Sequence, residues 1–347
     1  MGCLWPKPGD ESAQQEEAPK VYSWERNDRP DPKDFTIENL KGETVGRVPG
    51  TINGQQFILN NCEDCNIYIY DHTATVTVDD CVNCRIFIGP IKGSVYFRDC
   101  NNCKCVVACQ QFRTRDCKKM DIFLCCQTQP IIESSINMKF ACFQYYYPEL
   151  KDHFKKSDLS VYNNNWSSIH DFTPVPGEQN WSLLPSDAKL EEHVPIPTTE
   201  QFANVGISTD VDKSTVPLTL GSRRKASDES CLVAFFNAGS ETEDKVRQFI
   251  EKMREEGTCT LVQSKEIPMK PDEATRIFGS DPKYSAAASS GDVIGLEYNG
   301  DQVIQKCSSI IQPVIGDSTF YISDNTRSSA QEDIDGFYNF ADMQMAM

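Results

Sequence analysis

Four stretches set the reading of this chain: Asn61-Cys62-Glu63-Asp64-Cys65-Asn66-Ile67-Tyr68-Ile69, Asp80-Cys81-Val82-Asn83-Cys84-Arg85-Ile86-Phe87-Ile88, Asp99-Cys100-Asn101-Asn102-Cys103-Lys104-Cys105-Val106-Val107 and Asp116-Cys117-Lys118-Lys119-Met120-Asp121-Ile122-Phe123-Leu124. Their leading cysteines stand 19, 19 and 17 positions apart, each behind an Asp or Asn. The first three open a C-x2-C pair, and Met120 takes the second place in the fourth. Behind each pair runs an apolar alternation, Ile67 and Ile69, Ile86 and Ile88, Cys105 and Val107, Ile122 and Leu124, which is the period of two of a β-strand. Strand-rich repeats of about 20 residues are too short to fold alone and stack into a solenoid with one continuous core. The N-terminal part of a multidomain chain is therefore expected to be a right-handed parallel β-helix, an all-β solenoid.

Counting back from each following cysteine places a second strand, with Val76 and Val78, Val95 and Phe97, and Phe112 and Thr114 facing in. Their neighbours face out. These are Thr77 and Asp79, then Tyr96 and Arg98, then Arg113 and Arg115, so the outer face carries a small basic column. The segment Ile131-Ile132-Glu133-Ser134 continues the pattern and puts Glu133 in or near the register of the arginines.

With 34 basic and 51 acidic side chains the formal charge is −17, which excludes bulk nucleic-acid binding. No run of about 18 apolar residues offers a bilayer span. Twelve of the 16 cysteines lie between Cys62 and Cys142. Residues 1–20 hold no apolar signal core, so reduced thiols in a cytosolic chain are expected, packing as small apolar residues. The run from Cys62 to Cys84 also fits a zinc spacing. A third recurrence at the same interval, and Met120 where a thiolate would be needed, favour packing, and no metal is assigned.

Either side of the repeats the composition changes. Met1-Gly2-Cys3 offers a myristoyl acceptor at Gly2 and a palmitoyl acceptor at Cys3, and residues 1–33 read as an acylated flexible leader. Pro6 stands where the myristoyl pattern has Ser or Thr. Residues 34–200 form the solenoid domain, with the aromatic-rich stretch 143–185 capping its end. The adjacent pair His170-Asp171 reads as a loop rather than a catalytic dyad. Residues 201–230 read as a linker, in which Arg223-Arg224-Lys225-Ala226-Ser227 carries a weak basophilic phosphorylation pattern. Residues 231–347 form a second domain: strand 231–236, a helix opened by a Ser240-x-x-Glu243 capping box and stopped at Gly257, strand 260–267, a short helix at 271–278, strand 293–298, helix 302–311 and strand 319–323. That order is an α/β ferredoxin-like sandwich.

The segments Cys109-Gln110-Gln111-Phe112-Arg113-Thr114-Arg115-Asp116-Cys117 and Thr128-Gln129-Pro130-Ile131-Ile132-Glu133-Ser134 resemble the tubulin-binding cofactor C domain family. The second domain, through Val293-Ile294-Gly295-Leu296-Glu297-Tyr298-Asn299-Gly300, resembles nucleoside diphosphate kinase. That family works through a phosphorylated histidine, and all four histidines here precede residue 194, so no such kinase activity is expected. The cofactor C resemblance, with Met1-Gly2-Cys3 in front, implies a GTPase-activating protein for an Arf-like small GTPase, the third Arf-like member. It also implies a role in ciliary and Golgi trafficking of lipidated cargo. Arg113 would be the arginine finger, with Gln110, Glu133, Phe172 and Arg115 at the GTPase interface, and Cys81 and Cys103 would matter for folding. The implied setting is the cytoplasmic face of the plasma membrane, the cilium base and Golgi-associated vesicles, reached through the acyl chains. A monomer is expected, without a cofactor of its own, since the partner carries GTP and magnesium. By residue type alone, outward arginines are more often simply solvated. The rival reading is a non-catalytic effector or tubulin-related scaffold that binds the GTP-bound GTPase.

Overall fold

Each repeat turns on two residues held in the left-handed region. In the computed structural model, which describes residues 31–236, 239–316, 318–325 and 329–345, φ is 50° at Asn61, 56° at Asp64, 52° at Asp80, 53° at Asn83, 53° at Asp99, 53° at Asn102 and 55° at both Asp116 and Lys119. Asn and Asp enter this region more readily than most side chains, which explains why they flank the cysteines. Between two such residues the chain makes a corner and both cysteines turn inward, fully buried. The Cys84 thiol donates to the Cys62 carbonyl one coil back at 3.3 Å, and Cys103 repeats this with Cys81 at 3.4 Å. Outside the corner the side chains form their own ladder, Asn83 donating to Asp64 at 2.5 Å and Asn102 to Asn83 at 3.0 Å. All fifteen described cysteines are free thiols. Gly2, Cys3 and Pro6 lie outside the described residues.

Two columns of parallel strands stand on these corners. The first runs Thr44–Arg47, Asn66–Ile69, the starts of Arg85–Arg98 and Lys104–Arg115, then Lys118–Cys126, Ile136–Cys142 and Trp181–Leu183. The second runs Thr36–Glu38, Phe57–Asn60, Val76–Asp79, the ends of Arg85–Arg98 and Lys104–Arg115, then Ile131–Glu133 and His170–Asp171. The core between them holds the inward residues read from the repeat, among them Ile67, Ile86, Val76, Val95, Phe97 and Phe112. Thr114, the one polar inward residue of that set, is buried with its hydroxyl donating to Ser135 Oγ at 3.2 Å. The 17-residue interval also has a cause. Ile88 pairs with Val107 and Ser94 with Gln111, so residues 89–93 of one coil lie opposite the shorter run 108–110 of the next. The coil that carries Arg113 thus loses its residues at a corner and keeps both strands in register.

The outward side of the first column is covered. Tyr68, Phe87, Val106 and Phe123 are buried beneath Tyr145, Tyr147, Leu150, Phe154, Phe202 and Val216. The Phe87 and Tyr145 rings stack at 4.1 Å, and the Tyr70 and Tyr145 hydroxyls meet at 2.8 Å. Trp166 closes the solenoid, almost wholly buried, with its indole N–H donating to Thr219 Oγ1 at 2.9 Å. The aromatic stretch is therefore both a cap and a wrap.

Residues 201–230 differ from the expected linker. Phe202, Val205 and Val216 are buried in that second core, and the Leu220 and Gly221 amides donate to Leu261 and Val262 carbonyls at 2.8 and 2.9 Å. These apolar residues follow neither a period of two nor of 3.6, so composition alone reads them as solvent-exposed chain. The basic run within it is engaged as well: the Arg223 guanidinium sits 4.9 Å from the Trp166 ring centre, Lys225 pairs with Glu297 at 2.5 Å, and the Ser227 hydroxyl donates to Asp301 at 2.6 Å.

The second sheet has the order Thr260–Ile267, Val293–Asn299, Ser230–Phe235, Phe320–Ile322, every pair antiparallel, as a ferredoxin-like sandwich requires. Helices Ser240–Glu256 and Val303–Ile315 cover one face through Val246, Phe249, Met253, Cys307 and Ile311. Pro271–Phe278 and two helices the sequence reading lacks, Pro282–Ala288 and Ala330–Met345, cover the other. Gly257 ends its helix at φ 80° as expected. The capping box does not form, because Gly239 occupies the cap position and the Glu243 carboxylate turns to Lys151 at 2.9 Å.

Candidate functional site

The second strand column keeps its outer side open, and the registers there define the site. Thr77 pairs with Tyr96, Tyr96 with Arg113, Arg113 with Ile131, and Ile131 with His170. One step along, Asp79 pairs with Arg98, Arg98 with Arg115, and Arg115 with Glu133. The Phe172 amide donates to the Ile132 carbonyl at 2.9 Å, which carries this last row one residue further. Arg113, Arg115, Glu133 and Phe172 are thus brought onto one face, with Gln110 exposed at the corner that leads into it. Phe172 is 61% exposed, the most open aromatic ring among the described residues, and the His170 ring packs edge-on against it at 4.7 Å.

The three arginines are not equivalent. Arg98 is clamped by Asp79 through two hydrogen bonds of 2.7 and 2.6 Å, and Arg115 reaches Asp116 at 3.3 Å. Arg113 is exposed and has no acidic partner among the described residues. Its backbone is nevertheless fixed on both sides by the ladder, between Tyr96 and Ile131. The approach is fixed as well: the Gln110 carbonyl accepts the Thr128 amide at 3.0 Å and its hydroxyl at 2.9 Å, and Gln111 accepts the Ser94 hydroxyl at 3.0 Å. Chemically, this is a fixed backbone offering an uncommitted guanidinium, whose planar fork of donors suits phosphate oxygens.

Asp171 is occupied in holding the neighbouring loop. Its carboxylate accepts the Thr173 amide at 2.9 Å and the Asn180 side chain at 2.8 Å, and the Thr173 hydroxyl accepts the Ser134 amide at 2.7 Å. His170–Asp171 is thus a short strand paired with Ile131–Glu133 and not the expected loop, and the Asp171 bonds hold the turn that follows Phe172.

Sequence reasoning missed a second cluster, Asp71, His72 and His153, whose ligand-type atoms converge. Asp71 is completely buried and accepts the Ile52, Asn53 and His72 amides at 2.6, 2.9 and 2.8 Å. Burial alone would push its carboxyl up, but these three N–H groups outweigh that and hold it below the usual carboxylate range. Burial lowers the His153 imidazole. His153 comes from helix Leu150–Lys156, far from Asp71 in sequence, so no spacing rule could have joined them.

Comparison with known proteins agrees with this architecture. Residues 54–172 match the Tubulin binding cofactor C family, a span that contains Arg113, Glu133 and Phe172. The chain is 56% identical to Protein XRP2 of Danio rerio over 334 residues, covering 96% of this chain and 88% of that protein. It is 54% identical to Protein XRP2 of Homo sapiens over 353 residues, covering all of both. Similarity to the Tubulin-specific chaperone C of Homo sapiens is lower, 29% identity over 156 residues, or 44% of this chain and 45% of that one. The chain belongs to the XRP2 family, built on a tubulin binding cofactor C domain.

Proposed function

We propose that this protein activates GTP hydrolysis on an Arf-like small GTPase by inserting Arg113 in trans. The carrying observation is the unpaired, exposed Arg113 on a fixed strand, beside a row in which Arg98 and Arg115 are already held by acids. A guanidinium delivered to the transferring phosphoryl group offsets charge that develops in the transition state, and this is worth about 10³ to 10⁵ in rate. An arginine already paired would have to break that pair first. Glu133, Arg115, Gln110 and Phe172 would form the surrounding contact, with Phe172 as the apolar anchor in a charged rim. GTP and magnesium would belong to the partner.

Gly2 and Cys3 would carry acyl chains that hold the protein at the cytoplasmic face of membranes, including the cilium base and Golgi-associated vesicles. Among the described residues no helix is long and apolar enough to cross a membrane. The third Arf-like member is the expected partner. The likeness to Tubulin-specific chaperone C supports a second reading, a scaffold or effector that binds the GTP-bound state without accelerating it.

Single-turnover GTP hydrolysis by a panel of Arf-like proteins, with and without the full chain, separates these readings. The expected result is strong stimulation of one member, lost in Arg113→Ala while the complex still forms, since the finger acts on the transition state. Stimulation unchanged by Arg113→Ala overturns the assignment, and tight binding with no rate gain at any concentration selects the scaffold.

A further inference from the structure

Away from the arginine face, the Asp71, His72 and His153 cluster brings three ligand-type atoms together. Asp71 Oδ2 is tied down by the Ile52 and Asn53 amides, and Oδ1, which accepts the His72 amide at 2.8 Å, also faces the two imidazoles. His72 Nδ1 stands 3.0 Å from it and His153 Nε2 3.5 Å, and all three atoms lie within 4.8 Å of one another. A tetrahedral ion with bonds of about 2.0–2.1 Å sets its ligand atoms about 3.3 Å apart, and the two distances from Oδ1, 3.0 and 3.5 Å, bracket that value. His153 is also oriented from behind: its Nδ1 meets the Tyr147 hydroxyl at 2.8 Å, which presents Nε2 to the cluster. A partner on the far ring nitrogen is the usual support of a metal-binding histidine.

We propose that Asp71 Oδ1, His72 Nδ1 and His153 Nε2 form a binding site for a zinc-class divalent cation, with solvent in the fourth position. Two imidazoles and one carboxylate suit zinc or cobalt, whereas calcium needs six to eight oxygens and magnesium an octahedral shell. Asp71 and His153 are closed off, and the His72 side chain retains 13% exposure, which leaves one way in. The ion would replace the imidazole contact now made with Oδ1, while the His72 amide keeps its bond to that oxygen. It would join the corner after Asn66–Ile69, the loop at Ile52 and helix Leu150–Lys156, three segments remote in sequence. Its role would be to lock the wrap onto the solenoid.

The test uses the full chain, stripped by a chelator under reducing conditions and titrated with Zn²⁺ by calorimetry, with thermal unfolding followed in parallel. One Zn²⁺ per chain and a raised Tm are expected, because an ion that binds only the folded state stabilises it. Co²⁺ in its place should give a tetrahedral absorption spectrum without a thiolate charge-transfer band. His72→Gln, at the most open ligand, and His153→Asn should each abolish the titration, and Tyr147→Phe should weaken it about 10- to 100-fold. Absence of binding to the parent chain, binding that survives His72→Gln, or a thiolate band that places the ion among the cysteines overturns the proposal. If His153→Asn does not fold, His72→Gln decides.

Discussion

The solenoid has two outer faces made by the same coils, and they meet opposite fates. On one, the register Tyr68, Phe87, Val106, Phe123 is apolar and lies beneath the wrap of residues 143–216. On the other, the register Thr77, Tyr96, Arg113, Ile131, His170 stays open. The strands pair in the same parallel way and enclose one shared core, so only the outward residues differ. Burying an aromatic side chain favours the fold by about 1.5–3 kcal/mol, whereas burying an unpaired guanidinium costs several times that. The chain therefore folds back over the first face and leaves the second open.

The largest expected effect lies on the open face. Arg113→Ala should lower stimulated GTP hydrolysis by about 10³ to 10⁵ and leave the urea unfolding midpoint where it was. A shift in midpoint as large as that of a core mutant would erase the distinction between the faces. Next comes the covered face, where Phe87→Ala should cost about 3–5 kcal/mol in denaturant unfolding. Its stimulation per folded molecule should be unaltered, and loss of activity without loss of stability would contradict the division. Phe172→Ala should weaken the complex by about tenfold in equilibrium binding with stability within about 0.5 kcal/mol, as an exposed anchor does. A full-strength complex would remove Phe172 from the interface. Smallest of all, Arg98→Ala breaks an exposed pair with Asp79 and should change stability by about 0–1 kcal/mol and hydrolysis hardly at all. Were Arg98→Ala as damaging as Arg113→Ala, the contrast between a held and an uncommitted guanidinium would fail.

Much of the fold was legible because its signals are local. The cysteine interval, the Asp and Asn at corners and the alternation Ile86, Ile88 or Val95, Phe97 are read within one repeat, and they assign which side chains face inward. In the second domain the strand order survived too, while helices Pro282–Ala288 and Ala330–Met345 escaped notice. Of the site, the outward placement of Arg113 and Arg115 with Glu133 nearby followed from parity alone, and the register adds that Glu133 sits opposite Arg115 itself.

By itself, then, the amino-acid sequence determined a stacked β-solenoid with a thiol-lined core, a basic row on one outer strand and an antiparallel α/β domain behind it. Tertiary structure alone decided which outer face is sealed, that residues 201–230 pack instead of linking, that Asp79 and Asp116 engage Arg98 and Arg115 but leave Arg113, and that His153 meets Asp71. The reason is one of range. Periodicity and corner chemistry are set by φ, ψ and side-chain direction within a few residues, whereas covering a face or pairing a charge depends on contacts between segments tens of residues apart, which no spacing along the chain encodes.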